Sequence, residues 1–255
     1  MKWVLGSGIS QLALPAGVTS GVALAVNSNG SVIVGGPLRW NALGVDQPFG
    51  AGRQAKSVDN NGGTISGSIF ANGNPNPWVW NNGSVTDISA LGDAYVSGDG
   101  KVVAGGNPLG IGHFRYSSSS GVVPMDNAAT ALNYDGGVIV GGPYGWPPFR
   151  WTAAAGFTTL PTPSGYDPNG WSVKDVSADG TVIVGSIDKD SAPNAVIYDT
   201  VNGTRLLSNV LQSAGVDTQG WTLEIITGIA ADGTSIVGNG TDGSGGKQSF
   251  RAVLP

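Results

Sequence analysis

The segment "SADGTVIVG", residues 177–185, joins a polar turn to an aliphatic strand, and closely similar segments occur five more times in the chain. Asp-Gly and Asn-Gly pairs supply the positive φ that tight hairpin turns need. The Val and Ile residues that follow are typical of β-strands. Each copy therefore predicts a β-hairpin. The six copies occupy residues 26–36, 58–68, 96–106, 132–142, 176–186 and 229–239.

A fixed glycine spacing unites the copies. Every copy has one glycine in the predicted turn and a second glycine five residues later. The aspartates before these glycines are interpreted as turn formers, because short acidic side chains bond to the backbone of tight turns. The turn glycines are Gly30, Gly62, Gly100, Gly136, Gly180 and Gly233.

A third strand with an aromatic triplet follows each hairpin, as in "LRW" (38–40), "WVW" (78–80) and "FRW" (149–151). A fourth apolar stretch often comes next, as in "SVTDI" (84–88). Four-stranded units whose turn glycines lie 32 to 53 residues apart predict an all-β, six-bladed β-propeller. Residues 1–255 are expected to form this one domain, with a short helix inserted at about 205–214.

The chain ends suggest how the propeller closes. The last unit stops after its third strand, and residues 9–14 look like a fourth strand without a hairpin before it. We therefore expect the N-terminal strand to complete the last blade. Lys2 and Trp3 also resemble the third-strand pattern, so a seventh, partial blade stays open as an alternative.

Composition excludes several classes of protein. The formal net charge of −5 argues against a nucleic-acid partner, because binding to phosphates depends on clustered cations. The chain contains no cysteine, which excludes disulfides and thiolate metal sites. No segment is apolar over the length needed to span a bilayer, and the first residues do not make a convincing signal peptide.

The repeated units resemble HAF repeats, which occur in surface and extracellular bacterial proteins, including autotransporter-like ones. The resemblance is sharpest at residues 206–255, in "GWTL", "ADGTSIVG" and the terminal "FRAVLP". The second unit departs from it, with "ISG" for "IVG" and "WVW" for the aromatic-Arg pair. The resemblance implies a propeller-like fold displayed outside cells, and it implies no catalytic residues.

Residues for catalysis are scarce. The chain has one histidine, His113, and one glutamate, Glu224. General acid–base or triad chemistry needs a positioned partner, and a zinc site needs more ligands than these. We expect no enzyme activity, no catalytic residue, no metal and no cofactor.

Aromatic residues in the longer connections are the candidates for binding. They stand among Asn, Asp, Gly and Pro, where flat rings can stack on sugars or anchor protein contacts. The alternative is that they only rigidify the loops. The candidates are Trp78, Tyr144, Trp146 and Tyr166.

These observations favour a non-enzymatic binding or structural module. Our first interpretation is a phage virion surface protein: a head decoration, a fibre or a receptor-binding component. Its expected partners are other virion or surface proteins in an assembly, and a cell-surface glycan is a further candidate. The alternative is a secreted or surface carbohydrate-binding lectin or adhesin. Neither interpretation involves a nucleic acid or a membrane span.

Overall fold

The computed structural model describes residues 2–4, 8–107, 110–142 and 145–254. It is a nearly all-β protein whose one helix among these residues is α1 (Leu207–Ser213), which agrees with the predicted short helix. The chain divides into two compact units, residues 1–126 and 127–255. Each unit contains three antiparallel blades.

The first unit begins with a small hairpin and continues with three four-stranded blades. The hairpin consists of β1 (Lys2–Val4) and β2 (Gly8–Ser10). Blade 1 contains β3 (Ala25–Val26), β4 (Ile33–Gly35), β5 (Leu38–Asn41) and β6 (Gly44–Asp46). Blade 2 contains β7 (Arg53–Val58), β8 (Thr64–Ala71), β9 (Asn74–Asn81) and β10 (Ser84–Asp87). Blade 3 contains β11 (Asp93–Val96), β12 (Val102–Asn107), β13 (Ile111–Ser117) and β14 (Gly121–Pro124).

The second unit contains two four-stranded blades and one with three strands. Blade 4 contains β15 (Ala129–Leu132), β16 (Val138–Gly141), β17 (Phe149–Thr152) and β18 (Gly156–Thr159). Blade 5 contains β19 (Trp171–Val176), β20 (Val182–Lys189), β21 (Ala192–Asp199) and β22 (Gly203–Leu206), and α1 follows it. Blade 6 contains β23 (Thr222–Ile229), β24 (Ser235–Thr241) and β25 (Lys247–Val253).

These six meander sheets confirm the predicted six-bladed β-propeller. The expectation for the N-terminal strand is wrong in the described structure. β2, which contains Ile9, pairs with β1 rather than with blade 6. Leu12 and Leu14 pack on Leu38 and Trp40 of blade 1, so local apolar contacts hold this segment there. The β1–β2 hairpin is a separate two-stranded sheet, not a seventh blade.

The six turn glycines have φ values between 67° and 79°, a region that glycine enters without a Cβ penalty. Each donates its N–H to the carbonyl three residues earlier, as Gly180 does to Ser177 at 2.9 Å. In Gly62 and Gly180 an added Cβ would also lie 2.5 Å from a valine Cγ2 of the preceding blade. Glycine is therefore needed there both for its conformation and for close blade packing.

A buried polar side chain supports five of these turns. It stands three residues before the glycine and accepts the N–H two residues after the glycine. Asn133 Oδ1 accepts from Val138 N at 2.9 Å, and Ser177 Oγ accepts from Val182 N at 3.0 Å. The equivalent residues in the first three blades are Asn27, Asp59 and Ser97. These bonds satisfy backbone groups that would otherwise be buried without a partner.

The second glycine of each copy faces a backbone carbonyl of the first strand or of the segment just before it. In Gly67 an added Cβ would lie 1.9 Å from Gln54 O, and in Gly185 it would lie 2.3 Å from Ser172 O. In blades 2 and 5 the register of the first strand shifts beside this glycine, as in a β-bulge. The five-residue interval thus couples the turn to a place where the strands leave no room for a side chain.

Candidate functional site

Two loops of the second unit lie against each other at the end of blades 4 and 5 that is opposite the glycine turns. Gly145 N donates to Asn169 O at 2.9 Å, which ties loop 145–148 to loop 161–170. Leu160 N donates to Pro148 O at 2.9 Å and holds the bases of the loops together. Backbone bonds and proline rings therefore fix this surface without help from a ligand.

The β20–β21 hairpin of blade 5 supplies the third part of the surface. The two residues at its tip, Asp190 and Ser191, both have positive φ, 53° and 65°, as a two-residue type I′ turn requires. The residues between Gly185 and Tyr198 extend two paired strands instead of forming a long loop. Lys189 at the end of β20 lies with its Nζ 5.3 Å from the centre of the Tyr166 ring.

We define the aromatic loop site as Trp146, Tyr166, Asp167, Asn169 and Lys189. Trp146 is 42 % exposed, which is unusual for the largest apolar side chain. Tyr166 is half-buried and packs on the core of the unit, so its ring is held in place. The cation–π contact with Lys189 orients the ring further.

Two exposed polar residues follow Tyr166 on its loop. Asp167 Oδ1 accepts Asn169 N at 2.8 Å, and the side chains of both residues are exposed. Carboxylate, amide and ammonium groups on the same loops and hairpin as the aromatic rings can bond hydroxyl groups while a ring covers an apolar face. This combination fits a ligand that has both ring faces and many hydroxyls.

The four sequence candidates have different outcomes. Trp146 and Tyr166 lie in the aromatic loop site. Tyr144 lies outside the described residues. Trp78 belongs to the first unit and is fully buried, with its ring centre 5.1 Å from that of Phe49, so its assignment to an exposed binding surface is wrong. Sequence reasoning missed Lys189, since only the hairpin places it over Tyr166.

The position of Trp78 explains the error. Trp78 is the first residue of its aromatic triplet and corresponds to Leu38 in blade 1, Phe114 in blade 3 and Phe149 in blade 4, which are all buried. Strand side chains alternate between faces, so the outer residues of a triplet share the core side. The preceding "NPNP" is part of β9 rather than a loop.

His113 and Glu224 are engaged in structural contacts. Each ring nitrogen of His113 lies near a backbone carbonyl oxygen, Nδ1 at 3.0 Å from Asp126 O and Nε2 at 3.1 Å from Asn107 O. Glu224 bonds to Lys247 Nζ at 2.6 Å and to Thr241 Oγ1 at 2.6 Å. The Lys247 ammonium group and the Thr241 hydroxyl lower the pKa of Glu224.

The turn aspartates have a structural role in the described hairpins. Asp179 Oδ1 accepts Thr181 N at 3.0 Å, and Asp232 Oδ1 accepts Thr234 N at 2.9 Å. The hydrogen bond from Ser177 and those from Thr181 hold the pKa of Asp179 below its usual value. Within the described ranges, no group of three His, Asp or Glu side chains could hold a metal ion. No helix among the described residues is long and apolar enough to cross a membrane.

Comparisons with known proteins agree on the fold. No family model and no curated protein sequence matches the chain. The structure is similar to a putative TolB from Agrobacterium tumefaciens, with a TM-score of 0.51, 14 % identity, and coverage of 91 % of this chain and 90 % of that one. An oligogalacturonate lyase in complex with manganese gives a TM-score of 0.56 and 13 % identity, with coverage of 90 % and 76 %.

A prolyl endopeptidase gives a TM-score of 0.58 and 13 % identity, with 98 % of this chain covered but only 46 % of the other. The chain thus spans about half the length of that relative. Because enzymes appear among these propellers at low identity, the likeness establishes the fold and leaves function to the site itself.

Proposed function

We propose that the protein is a non-enzymatic binding module whose aromatic loop site recognises a glycan on a cell surface. One observation carries the proposal: the exposed Trp146 stands on a loop that is bonded to the loop of Tyr166, Asp167 and Asn169. A preorganised aromatic and polar surface binds a sugar without paying to order its loops.

The absence of enzyme activity is part of the proposal. Its support is that both nitrogens of His113 contact backbone carbonyls, and that Glu224 is paired with Lys247. A general acid or base must reach the reacting atoms of a substrate, and these groups are already engaged. The turn aspartates of the repeats are also engaged, since they accept hydrogen bonds from the backbone of their own turns.

We further propose that the module is displayed on a phage virion, as a decoration, fibre or receptor-binding component in a larger assembly. The support is the repeated, charge-poor propeller scaffold with a loop surface that carries two aromatic residues, Trp146 and Tyr166. A secreted or surface-bound lectin or adhesin is the second candidate, and the aromatic loop site favours it equally because the site would bind the same kind of ligand.

A glycan array tests the binding function with the purified chain. We expect wild-type protein to bind a defined set of glycans and Trp146→Ala to lose that set while its circular dichroism stays unchanged. Binding by the Trp146→Ala variant equal to that of the wild type would overturn the proposed site. Mass spectrometry of purified virions from the host strain then separates the two settings, since only a virion component co-purifies with capsid proteins.

A further inference from the structure

Blade 6 has an open edge in the described structure. In the other five blades the third strand pairs with a fourth, whereas no described strand pairs with the outer side of β25. Leu254 N donates to the carbonyl of Thr234, the residue just before β24, at 2.7 Å. Because hydrogen-bonding direction alternates along a strand, the N–H and C=O groups of Arg251 and Val253 point to the open side.

A groove runs along this edge. It has a volume of about 400 Å³ and lies between the edge, the helix α1 and the loop that precedes blade 6. Leu211 of the helix, Trp221 of the loop, and Phe250 and Ala252 of the edge strand provide apolar walls. An unpaired edge beside an apolar groove is the arrangement to which extended peptides add as a strand.

The other blades show what kind of side chain the groove would take. Ala252 occupies the third position of the triplet, where every other blade has a large aromatic residue. In blade 1 this residue is Trp40, and it stands directly opposite Val45 of the fourth strand. The small Ala252 leaves space on the same face, so the groove has room for a large apolar residue opposite it.

The edge strand also carries an exposed positive charge. In blade 1 the central arginine of the triplet, Arg39, bonds to Asp46, the residue directly opposite on the fourth strand, with Nε–Oδ1 at 3.0 Å. Arg251 is the equivalent residue of blade 6, and it is exposed. Its Nη2 donates to Ser235 Oγ at 2.9 Å, a neutral partner on the neighbouring strand. A strand added at the edge would place a residue opposite Arg251 as Asp46 is placed opposite Arg39.

We propose that the edge of β25 is a docking site for an extended segment of a partner protein, which adds as the fourth strand of blade 6. The segment carries a large apolar residue opposite Ala252, followed by an acidic residue opposite Arg251. Backbone bonds along the edge provide affinity, and the groove and Arg251 provide specificity. This site is separate from the aromatic loop site and does not depend on its function.

Fluorescence anisotropy with a labelled peptide tests the proposal. The probe is the peptide of residues 42–48, "ALGVDQP", with Val45→Phe, which offers Phe opposite Ala252 and Asp46 opposite Arg251. The control probe carries Asp46→Lys in addition. We expect the acidic probe to bind at least tenfold more tightly than the control, because like charges at a docking site are unfavourable. Hydrogen exchange should slow at the amides of Arg251 and Val253 when the acidic probe binds.

Charge reversal provides the matched protein variants. Arg251→Glu should reverse the preference, so that the lysine probe binds more tightly. Lys174→Glu changes an exposed lysine of blade 5 outside the groove and should leave the preference unchanged. Equal binding of both probes, or no effect of Arg251→Glu, would overturn the proposal.

Two other possible occupants of the β25 edge would give different results, and either result would overturn the proposal. If the chain's own N-terminal segment covers the edge, the probe binds only after residues 1–15 are deleted. If a second copy covers it, sedimentation shows a dimer that Arg251→Glu dissociates, and the probe competes with that dimer rather than binding the monomer.

Discussion

Asp175 of blade 5 accepts a hydrogen bond from the backbone N–H of Ile229 in blade 6, with 3.0 Å between Oδ2 and N. The same bond occurs in the first unit, where Ser57 Oγ of blade 2 accepts Val96 N of blade 3 at 3.3 Å. Asp175 and Ser57 both stand five residues before their turn glycine. One position of the repeat therefore links neighbouring blades through a side chain, in addition to the apolar packing between them.

This position predicts a pH dependence of stability. Burial raises the pKa of Asp175 to about 6, although the N–H groups of Ile229 and Val176 act in the opposite direction. The folded protein thus binds a proton more tightly than the unfolded chain, so the stability linked to Asp175 is fully present below about pH 4 and is lost as the pH rises through about 6.

Asp175→Asn should remove that dependence. Between pH 4 and pH 7 the wild-type free energy of unfolding should fall by roughly 1–3 kcal/mol relative to the Asn variant, since one pKa unit corresponds to about 1.4 kcal/mol. Urea unfolding of both proteins at several pH values measures the difference. Parallel curves for the two proteins would show that Asp175 does not titrate in this range.

Substitution of different turn glycines by alanine should destabilise the protein to different extents. Gly180 has a φ of 74° and has Val138 Cγ2 at 2.5 Å from the position of an added Cβ, whereas Gly30 has a φ of 71° and nothing within 4 Å of that position. Gly30→Ala should cost about 1 kcal/mol for the backbone conformation alone. Gly180→Ala should cost roughly 2–4 kcal/mol, because overpacking adds to the strain. Equal losses in thermal unfolding would contradict the packing argument.

Trp78 and Trp146 are both candidates for ligand binding from the sequence. Their substitutions by alanine should differ in their effect on stability. Trp78→Ala empties a fully buried site beside Phe49 and should lower the free energy of unfolding by about 3–5 kcal/mol. Trp146→Ala changes an exposed side chain and should alter it by less than about 0.5 kcal/mol. Denaturant titrations compare the two variants directly, and a large loss in Trp146→Ala would indicate a structural role for that residue.

Local patterns were enough to predict the blades. The paired glycines of a copy, such as Gly180 and Gly185, mark a turn and a close strand approach that depend only on nearby residues. The helix near residue 207 also follows from local spacing. The pairing of β2 was not predictable in this way, because any exposed edge offers the same backbone groups to a short strand.

Only part of the candidate site could be predicted, because the composition of a segment does not show how its side chains are buried. Loop composition identified Trp146 and Tyr166, but burial depends on which face of a strand a residue occupies, and Trp78 was assigned to a loop instead of to β9. Asp190 and Ser191 adopt left-handed conformations that neither residue type signals strongly, so the β20–β21 hairpin and its Lys189 were not anticipated.

The most direct test of the proposed function is the dissociation constant for the strongest glycan on the array, measured for the wild type, Trp146→Ala and Tyr134→Ala. Tyr134 is a suitable control because it is 47 % exposed and lies at the glycine-turn end of the same blade. We predict that Trp146→Ala weakens binding at least tenfold and that Tyr134→Ala leaves it within twofold of the wild type, as expected when one aromatic anchor carries much of the affinity. Binding that survives Trp146→Ala and is lost in Tyr134→Ala would contradict the account and would place recognition at the glycine turns.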